Sequence, residues 1–234
     1  MNDTGRKNQI QQHFEAEAKE YDDLIYKLIP HYSEMLQAVL CVFVGVGKTP
    51  KVADLGCGTG TLASAVLSLL PAAQVDLFDV SQNMLDIAEA KLAGYPQIRA
   101  IHGDFSSITG PKKYDVIISS LALHHLETDQ EKEVFFQSIY GALQPGGWFV
   151  NADVVLGATE EIQGQYMEKW KDFMLGQVSL EEVENRWLVK YAEEDRPARL
   201  DRQLSWLQGA GFEPVEVFWK CYNFAVYGGR KPLV

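Results

Sequence analysis

The spacing of hydrophobic and polar residues changes several times along the chain. Between residues 8 and 46, apolar side chains recur three and four positions apart, which predicts helices that Pro30 divides into two. Short apolar runs bounded by turn residues follow, and they predict buried strands. These strands are expected in the segments "KVADLG", "QVDLFDV", "IRAIHGDF", "YDVIISSLAL" and "WFVNADVV".

Helical stretches separate these runs, and local signals mark where the helices begin. Ser81 is expected to cap the helix in "SQNMLDIAEAKLAG". Thr128 with Glu131, and Ser179 with Glu182, have the spacing of capping boxes, in which two side chains accept hydrogen bonds from each other's backbone amides. Strand and helix therefore alternate through most of the chain.

This alternation predicts a Rossmann-like, doubly wound α/β fold, with a seven-stranded, mostly parallel sheet covered by helices on both faces. Gly146 and Gly147 are expected to form the turn into the fifth strand. After Gly211, the β-branched and aromatic segment "FEPVEVFWKCYNFAVYGGR" predicts the last two strands. These strands would be joined near Lys220 to Asn223, as an antiparallel C-terminal hairpin at the sheet edge.

Composition and charge narrow the classes of function. Of the 234 residues, 47% are hydrophobic and 23% are charged, as in ordinary globular proteins. A net charge of -11 disfavours nucleic acid as a partner, because binding to phosphates relies on Lys and Arg. The polar first residues and the absence of an apolar run of about 20 residues predict a cytoplasmic protein with no membrane partner.

The cysteines and histidines give no sign of a metal site in the sequence. Cys41, Cys57 and Cys221 are scattered, without the spacing of metal ligands, which is typical of reduced thiols in the cytosol. No grouping of His, Cys and Asp along the chain has ligand spacing either. We therefore predict no metal.

The segment "KVADLGCGTGTLAS" carries glycines at alternate positions, Gly56, Gly58 and Gly60. In open α/β sheets, ligands bind beyond the carboxyl ends of the strands, and glycine lets the backbone approach them closely. A tight turn without a ligand is one alternative. A dinucleotide-binding pattern also fits, with Gly58, Gly60 and Ala63 followed by Asp79 as the ribose-binding acid, and it predicts a nicotinamide enzyme.

The segments that accompany this loop favour another cofactor. "VADLGCGTG" resembles the first motif of the class I S-adenosylmethionine (SAM) dependent methyltransferases. The segments "DLFDVSQNMLDIAEAK", "IHGDF", "YDVIISSLALHHL" and "LQPGGWFVNADVV" resemble, in order, the motifs at that family's second to fifth strands. The resemblance covers roughly residues 14–230. It implies SAM as the cofactor and methyl transfer as the activity.

The resemblance also implies which residues contact the cofactor. Asp79 would accept both ribose hydroxyls, Asp104 would accept the adenine amino group, and Met84 would cover the adenine face. Asp54 would order the loop and the amino end of the cofactor, or else cap loop amides as a buried acid. The expected cofactor-binding residues are Tyr32, Asp54, Gly56, Cys57, Gly58, Gly60, Asp79, Val80, Met84, Asp104, Phe105 and Ser120.

Two further segments, "LIPHYSEML" and "FWKCYNF", resemble the carboxy-SAM synthases of tRNA wobble-uridine modification. That resemblance implies that the Tyr32 hydroxyl lies at the cofactor's carboxylate. Trp206 stands where those enzymes have the arginine that pairs with the extra carboxylate, so ordinary methyl transfer is favoured. The alternatives are a carboxy-SAM synthase-like or tRNA-pathway enzyme, and a non-catalytic SAM-binding partner subunit.

Residues for catalysis and acceptor binding are less well marked. A general base is needed only when the nucleophile is protonated, and His124 and His125 are the candidates, with packing as their alternative role. The acidic segments "EEVE" and "EED", the latter ending at Asp195, are expected to be solvated helix faces, and an acidic pocket for a cationic amine substrate is the alternative. Six aromatic residues at helical spacing are candidates for an acceptor pocket, although a core role is favoured for each: Tyr21, Tyr26, Trp170, Phe173, Trp187 and Tyr191.

One domain over residues 1–234 is predicted, because no repeat or linker divides the chain. Its parts would be a helical lid at 1–47, a cofactor-binding core at 48–156, a helical substrate-side insertion at 157–210 and the hairpin at 211–234. A small molecule is the expected acceptor, and a homodimer is kept open as the assembly. A shared fold hosts too many acceptors for the sequence to choose one.

Overall fold

A seven-stranded sheet forms the centre of the protein. The computed structural model describes residues 5, 11–14, 18, 20–104, 108 and 114–233. The strands are β1 (Lys51–Leu55), β2 (Gln74–Asp79), β3 (Ile98–His102), β4 (Tyr114–Ser120), β5 (Leu143–Val154), β6 (Val215–Cys221) and β7 (Phe224–Arg230). Their order across the sheet is β3-β2-β1-β4-β5-β7-β6.

The direction of the strands confirms the predicted fold. β1 to β5 pair in parallel, while β7 runs antiparallel to β5 and to β6. β1 lies between β2 and β4, so the order of strands reverses there, and ligands of open α/β sheets bind at such a point. The fold is Rossmann-like, with the antiparallel C-terminal hairpin at one edge.

Helices cover both faces of the sheet. They are α1 (Tyr21–Leu28), α2 (Tyr32–Leu40), α3 (Thr61–Leu69), α4 (Gln82–Lys91), α5 (Asp129–Ala142), α6 (Glu160–Leu175), α7 (Leu180–Glu182), α8 (Leu188–Glu194) and α9 (Leu200–Ala210). A π-helical turn, Val183–Trp187, joins α7 to α8, and 3-10 turns lie at Cys41–Phe43 and Leu123–His125. Among the described residues, no helix has the length and apolar character needed to cross a membrane.

Successive side chains of each strand point to opposite faces of the sheet, and they pack in two hydrophobic clusters, one on each face. In β4, Ile118 packs in the cluster that contains α1 to α4, and Ile117 packs in the cluster that contains α5 and α9. Strands buried on both faces read as continuous apolar runs, which is why "VIIS" shows no polar alternation.

The predicted helix caps are confirmed. The Ser81 side chain accepts a hydrogen bond from the Met84 amide at the start of α4. Thr128 with Glu131 at α5 forms a complete capping box, as does Ser179 with Glu182 at α7. Exchanging such a cap for Ala costs about 1 kcal/mol, so these residues fix where the helices start.

Three strand boundaries differ from the prediction. β3 ends at His102, so Gly103 and Asp104 of "IRAIHGDF" lie outside the strand. β5 begins at Leu143, before the expected turn at Gly146 and Gly147. The ladder with β4 pairs Leu143 and resumes at Trp148, and the Gly146 amide donates to the Lys231 carbonyl, so the two glycines form an irregularity within β5. β4 ends at Ser120 rather than continuing through "LAL", because Leu121 has a positive φ of 53° that a strand cannot accommodate. The 3-10 turn that follows carries the two adjacent histidines.

Candidate active site

The glycine loop leaves β1 with its backbone in the left-handed region. Gly56 has φ 66° and Gly58 has φ 53°, conformations that favour glycine. A Cβ atom on Gly56 would lie 2.3 Å from the Ala122 Cβ. The loop therefore packs directly on the segment after β4, and only a residue without a side chain fits there.

Asp79, at the end of β2, holds this loop in place. One carboxylate oxygen accepts from the Gly58 amide at 2.8 Å, and the other accepts from the Ser81 amide at 2.9 Å. The side chain is largely buried, but it reaches the wall of a cavity. The carboxylate thus connects the glycine loop to the start of α4 and faces any ligand between them.

This cavity, the glycine-loop cavity, has a volume of about 910 Å³, part of which is open to solvent. Several of the predicted cofactor-binding residues line it, namely Gly56, Gly58, Asp79, Val80, Met84, Asp104 and Ser120. Phe105 lies outside the described residues. Residues from β1, β2 and β4 therefore meet at one edge of the sheet, as the topology requires.

The other predicted residues are buried and do not line the cavity: Tyr32, Asp54, Cys57 and Gly60. Burial raises the pKa values of the Tyr32 hydroxyl and the Cys57 thiol well above their usual ranges, so both stay neutral at physiological pH. Gly60 begins α3 with a positive φ, close to Ala88. Direct cofactor contact by these four residues stays a prediction.

Asp54 is a buried acid with little compensation for its charge. Neither of its carboxylate oxygens makes a hydrogen bond of normal geometry with the described residues. Burial raises the pKa of Asp54 to about 7, the charge of Asp79 adds to the rise, and the Ala63 amide opposes it. Such a carboxyl group is suited to a cationic ligand group, because that ligand would offset the cost of ionising it.

Replacing Asp54 by Asn is expected to stabilise the unliganded protein at high pH. The folded-state pKa lies above the ordinary 3.8, so between these pH values the folded protein retains a proton that the unfolded chain has released. The parent therefore loses stability as pH rises through this window, by up to about 4 kcal/mol, and Asp54→Asn avoids that loss. Thermal unfolding at about pH 5 and about pH 8 should show the advantage of the variant growing with pH. An advantage that is equal at both pH values contradicts the assignment.

The N-terminal helix α1 is fastened to the glycine loop. One oxygen of Asp22 accepts from the hydroxyls of Thr59 at 2.5 Å and Thr61 at 3.0 Å. Its other oxygen pairs with Lys91 at 2.6 Å. The same helix carries Tyr21 into the wall of the glycine-loop cavity, so α1 borders that cavity. Its role as a lid stays a prediction.

A second cavity, the lid cavity, lies between α1 and the helical insertion and has a volume of about 750 Å³, including open space. Its walls are mostly apolar and include Leu24, Leu28, Trp170, Met174, Trp187 and Phe224. Tyr21, Leu121 and His125 line both cavities, so the two spaces meet there. Four of the six aromatic candidates line the lid cavity: Tyr21, Trp170, Trp187 and Tyr191. Tyr26 and Phe173 do not line it.

The two histidines stand at the polar end of the lid cavity. Asp153 of β5 accepts from the His124 amide at 3.0 Å and lies 2.5 Å from the His124 Nδ1 atom. Asp195 lies 3.4 Å from the His124 Nε2 atom and 3.7 Å from the His125 Nδ1 atom. The Arg196 amide donates to the His124 carbonyl, which fixes the Asp195 segment against this turn.

The surroundings shift the pKa values of the two histidines in opposite directions. Burial lowers the pKa of His124, but the carboxylates of Asp153 and Asp195 outweigh it and raise the pKa to about 10. Burial and the charge of His124 together lower the pKa of His125 to about 3. Burial raises the pKa of Asp195, but His124 outweighs it, so the net shift is downward. In the unliganded protein, His124 is thus the cation of the pair and His125 is neutral.

The expectation of a solvated acidic face is wrong for two residues. Glu194 is 1% exposed and forms an ion pair with His13, and Asp195 lines the lid cavity. Only the tertiary fold shows this, since Asp195 is about seventy residues from His124 and no local pattern links them. Asp153 had a weak signal in the sequence, because "NAD" places polar residues inside an apolar strand.

The fold and the glycine-loop cavity define a Rossmann-like protein with a site for a nucleotide-containing cofactor. Residues 52–147 match the family described as "Methyltransferase domain". A malonyl-[acyl-carrier protein] O-methyltransferase of Ilyobacter polytropus is 31% identical over 60% of this chain and 50% of its own length. A carboxy-S-adenosyl-L-methionine synthase of Methylococcus capsulatus is 26% identical over 90% of this chain and 89% of its own length.

Another relative and two solved structures agree with these matches. An uncharacterized methyltransferase of Oceanobacillus iheyensis is 32% identical over 65% of this chain and 70% of its own length. The complex of DhpI with S-adenosylhomocysteine (SAH) has a TM-score of 0.63 at 17% identity and covers 95% of both chains. Human N-acetylserotonin methyltransferase with SAM has a TM-score of 0.56 at 22% identity and covers 84% of this chain and 51% of its own.

The chain belongs to the class I SAM-dependent methyltransferases, and SAM is its cofactor. This assignment settles the choice between SAM and a nicotinamide that the glycine spacing left open. The residues present fit SAM, because the loop at Gly56 and Gly58 exposes backbone, Asp79 offers acceptors and Met84 offers an apolar surface. The predicted contact of Asp54 with the cofactor would place a carboxyl group opposite its cationic amino group.

Proposed function

We propose that this protein transfers a methyl group from SAM to a small, largely apolar molecule bound in the lid cavity. The observation that carries the proposal is the shared wall of the two cavities at Tyr21, Leu121 and His125. Methyl transfer is a displacement between two bound molecules, so the reacting atoms must meet within a few ångströms. A cofactor in the glycine-loop cavity and an acceptor in the lid cavity would each reach this junction with one end.

The walls of the lid cavity support an acceptor with an apolar body. Trp170, Met174 and Trp187 are all buried in the unliganded protein and line the cavity together. Burying apolar surface contributes about 25 cal/mol per Å², so walls of this kind favour an acceptor with an apolar body. The net charge of -11 gives no support to a nucleic-acid acceptor.

Polar groups at the cavity walls support an acceptor that also carries oxygen or nitrogen. The Trp187 Nε1 atom is buried and has no hydrogen-bond partner in the described part of the chain. An acceptor oxygen that reached this atom would remove a cost of about 1–3 kcal/mol for a buried unpaired donor. At the other end, His125 and Asp195 face the same space and can contact the reacting hydroxyl or amine.

Catalysis then rests on positioning. When bound, SAM supplies a methyl group on a positively charged sulfur. Asp79 and the glycine backbone would hold the cofactor, Leu121 would flank the junction of the two cavities, and Tyr21 would close the junction from the α1 side. The apolar walls exclude water, and this lowers the cost of bringing a nucleophile to the methyl carbon.

Carboxy-SAM synthesis is the second candidate, because such synthases match nearly the whole chain. Against it, Trp206 stands where the arginine for the extra carboxylate is expected. Trp206 packs against the hydrophobic cluster of α5 and α9, where its ring centroid lies 6.5 Å from that of Phe136. It lines neither cavity, and an indole ring cannot form an ion pair with a carboxylate.

The proposal is tested by incubating the protein with trideuteromethyl-SAM, a panel of apolar alcohols, phenols and amines, and malonyl-acyl-carrier protein. Mass spectrometry should find the labelled methyl on a small acceptor. Leu28→Trp, which fills the lid cavity, should lower product formation at least about tenfold while SAH still binds. The control Leu69→Trp, on an exposed position of α3, should behave like the parent.

Other outcomes decide against the proposal. Transfer to the carrier protein alone would replace the small acceptor by a macromolecular one. Equal turnover by Leu28→Trp would remove the lid cavity from the reaction. Carboxy-SAM in the ligand carried through purification would favour the second candidate.

A further inference from the structure

We infer that His124, His125 and Asp195, the junction cluster, bind a divalent transition-metal ion. Each of the three side chains offers one ligand atom, and these atoms all lie within 4.8 Å of one another. α5, β5 and most of the helical insertion separate the two histidines from Asp195 in sequence, so the fold builds the cluster. The sequence predicted no metal because this arrangement exists only in three dimensions.

The distances suit an ion better than direct hydrogen bonds. Asp195 Oδ1 lies 3.4 Å from His124 Nε2 and 3.7 Å from His125 Nδ1. Charge-assisted hydrogen bonds between such groups measure about 2.7–2.9 Å. Two ligands on one tetrahedral ion, each with a bond of about 2.1 Å, are separated by about 3.4 Å. Small side-chain shifts would complete this geometry.

An outer carboxylate supports the cluster in the way that metal-binding histidines are usually supported. Such a histidine donates its second ring N–H to a carboxylate, and that bond orients the ligating nitrogen. Asp153 takes this position, 2.5 Å from the His124 Nδ1 atom, and Asn151 donates to Asp153 at 3.3 Å. The His124 Nε2 atom is then the one that faces Asp195. An ion there would take the place of the proton between them.

The ligands define the class of ion and its use. Two imidazole nitrogens with one carboxylate suit Zn²⁺, Mn²⁺, Fe²⁺ or Co²⁺, whereas Mg²⁺ and Ca²⁺ prefer oxygen ligands throughout. Three protein ligands leave an open position, as in catalytic rather than structural sites. Since His125 lines both cavities, that position would face their junction. If the proposed function holds, the ion would bind the acceptor's oxygen or nitrogen there and lower its pKa.

The test is metal titration of the full chain after treatment with a chelator. Calorimetry with Zn²⁺ should show one ion per chain, and Co²⁺ should give visible absorption bands on binding. His125→Ala and Asp195→Ala should each weaken binding at least about tenfold. His31→Ala, which changes an exposed histidine of the same chain, should leave binding unchanged. Circular dichroism confirms that each variant is folded, and Asp195, which is partly exposed, tolerates truncation better than the buried His124.

Two results would overturn the inference. One is a parent protein that takes up no Zn²⁺ or Co²⁺ in a saturable way, and the other is uptake that both variants retain. A parent that binds no metal but methylates a small acceptor overturns only the metal site. A parent that binds the ion but transfers no methyl group to any small acceptor overturns only the proposed function.

Discussion

Asp79→Ala is expected to reduce SAM and SAH binding at least about 100-fold. The carboxylate faces the glycine-loop cavity and also holds the amides of Gly58 and Ser81. Hydrogen bonds to a charged group contribute about 1.5–3 kcal/mol each, so losing the two expected bonds to ribose exceeds a factor of 100. Truncation also frees the glycine loop, which loosens the backbone part of the site.

Titration calorimetry with SAH measures this effect without turnover. Asp79→Asn should lie between Ala and the parent, because the amide keeps the shape of the side chain and loses its charge. Asp86→Ala, which removes an exposed carboxylate from α4, serves as the control and should bind SAH normally. If Asp79→Ala binds SAH like the parent, the glycine-loop cavity is not the cofactor site.

Gly56→Ala is expected to destabilise the protein by about 2–5 kcal/mol and to abolish SAM binding. The new Cβ would lie 2.3 Å from the Ala122 Cβ, a distance that forces the loop and the segment after β4 apart. The φ of 66° adds a cost of about 1 kcal/mol for any residue with a side chain. The displaced segment carries the histidine turn, so both cavities would change shape together.

A second substitution separates the steric cost from the backbone cost. Ala122→Gly removes the clashing atom, and the next nearest atom, the Ala122 Cα, is at an ordinary 3.7 Å. In thermal unfolding, the double variant should therefore regain most of the stability that Gly56→Ala loses. The remaining deficit should equal the backbone strain at residue 56 plus the effect of Ala122→Gly measured alone. Gly94→Ala, where a Cβ meets open space, should be neutral. A Gly56→Ala variant with parental stability contradicts the tight packing described for the loop.

The sheet was predictable because its signals are local. Buried parallel strands read as apolar runs, and the capping residues Ser81, Thr128 and Ser179 mark helix starts by their own chemistry. The errors in the strands arose where contacts and backbone conformation outside the apolar pattern determine the strand ends. The Gly146 amide donates to the Lys231 carbonyl within β5, and the positive φ of Leu121 ends β4 early.

The cofactor side of the site was also largely predictable, since the glycine loop and the strand ends of one sheet edge contribute it in chain order. Asp79 and Met84 stand at such ends, and the parallel topology brings them together. The acceptor side was not predictable in this way. Trp187 and Asp195 come from the helical insertion, whose polar and aromatic pattern is the same for a core, a solvated face or a cavity wall.

The central claim is that cofactor and acceptor meet where the two cavities share their wall. The most direct measurement is a crystal structure of the protein grown with SAH. We expect the ribose at Asp79, the adenine beside Met84, and the sulfur at the junction, directed past Leu121 toward the lid cavity. A sulfur atom that points away from the lid cavity, or SAH bound elsewhere, would contradict the account.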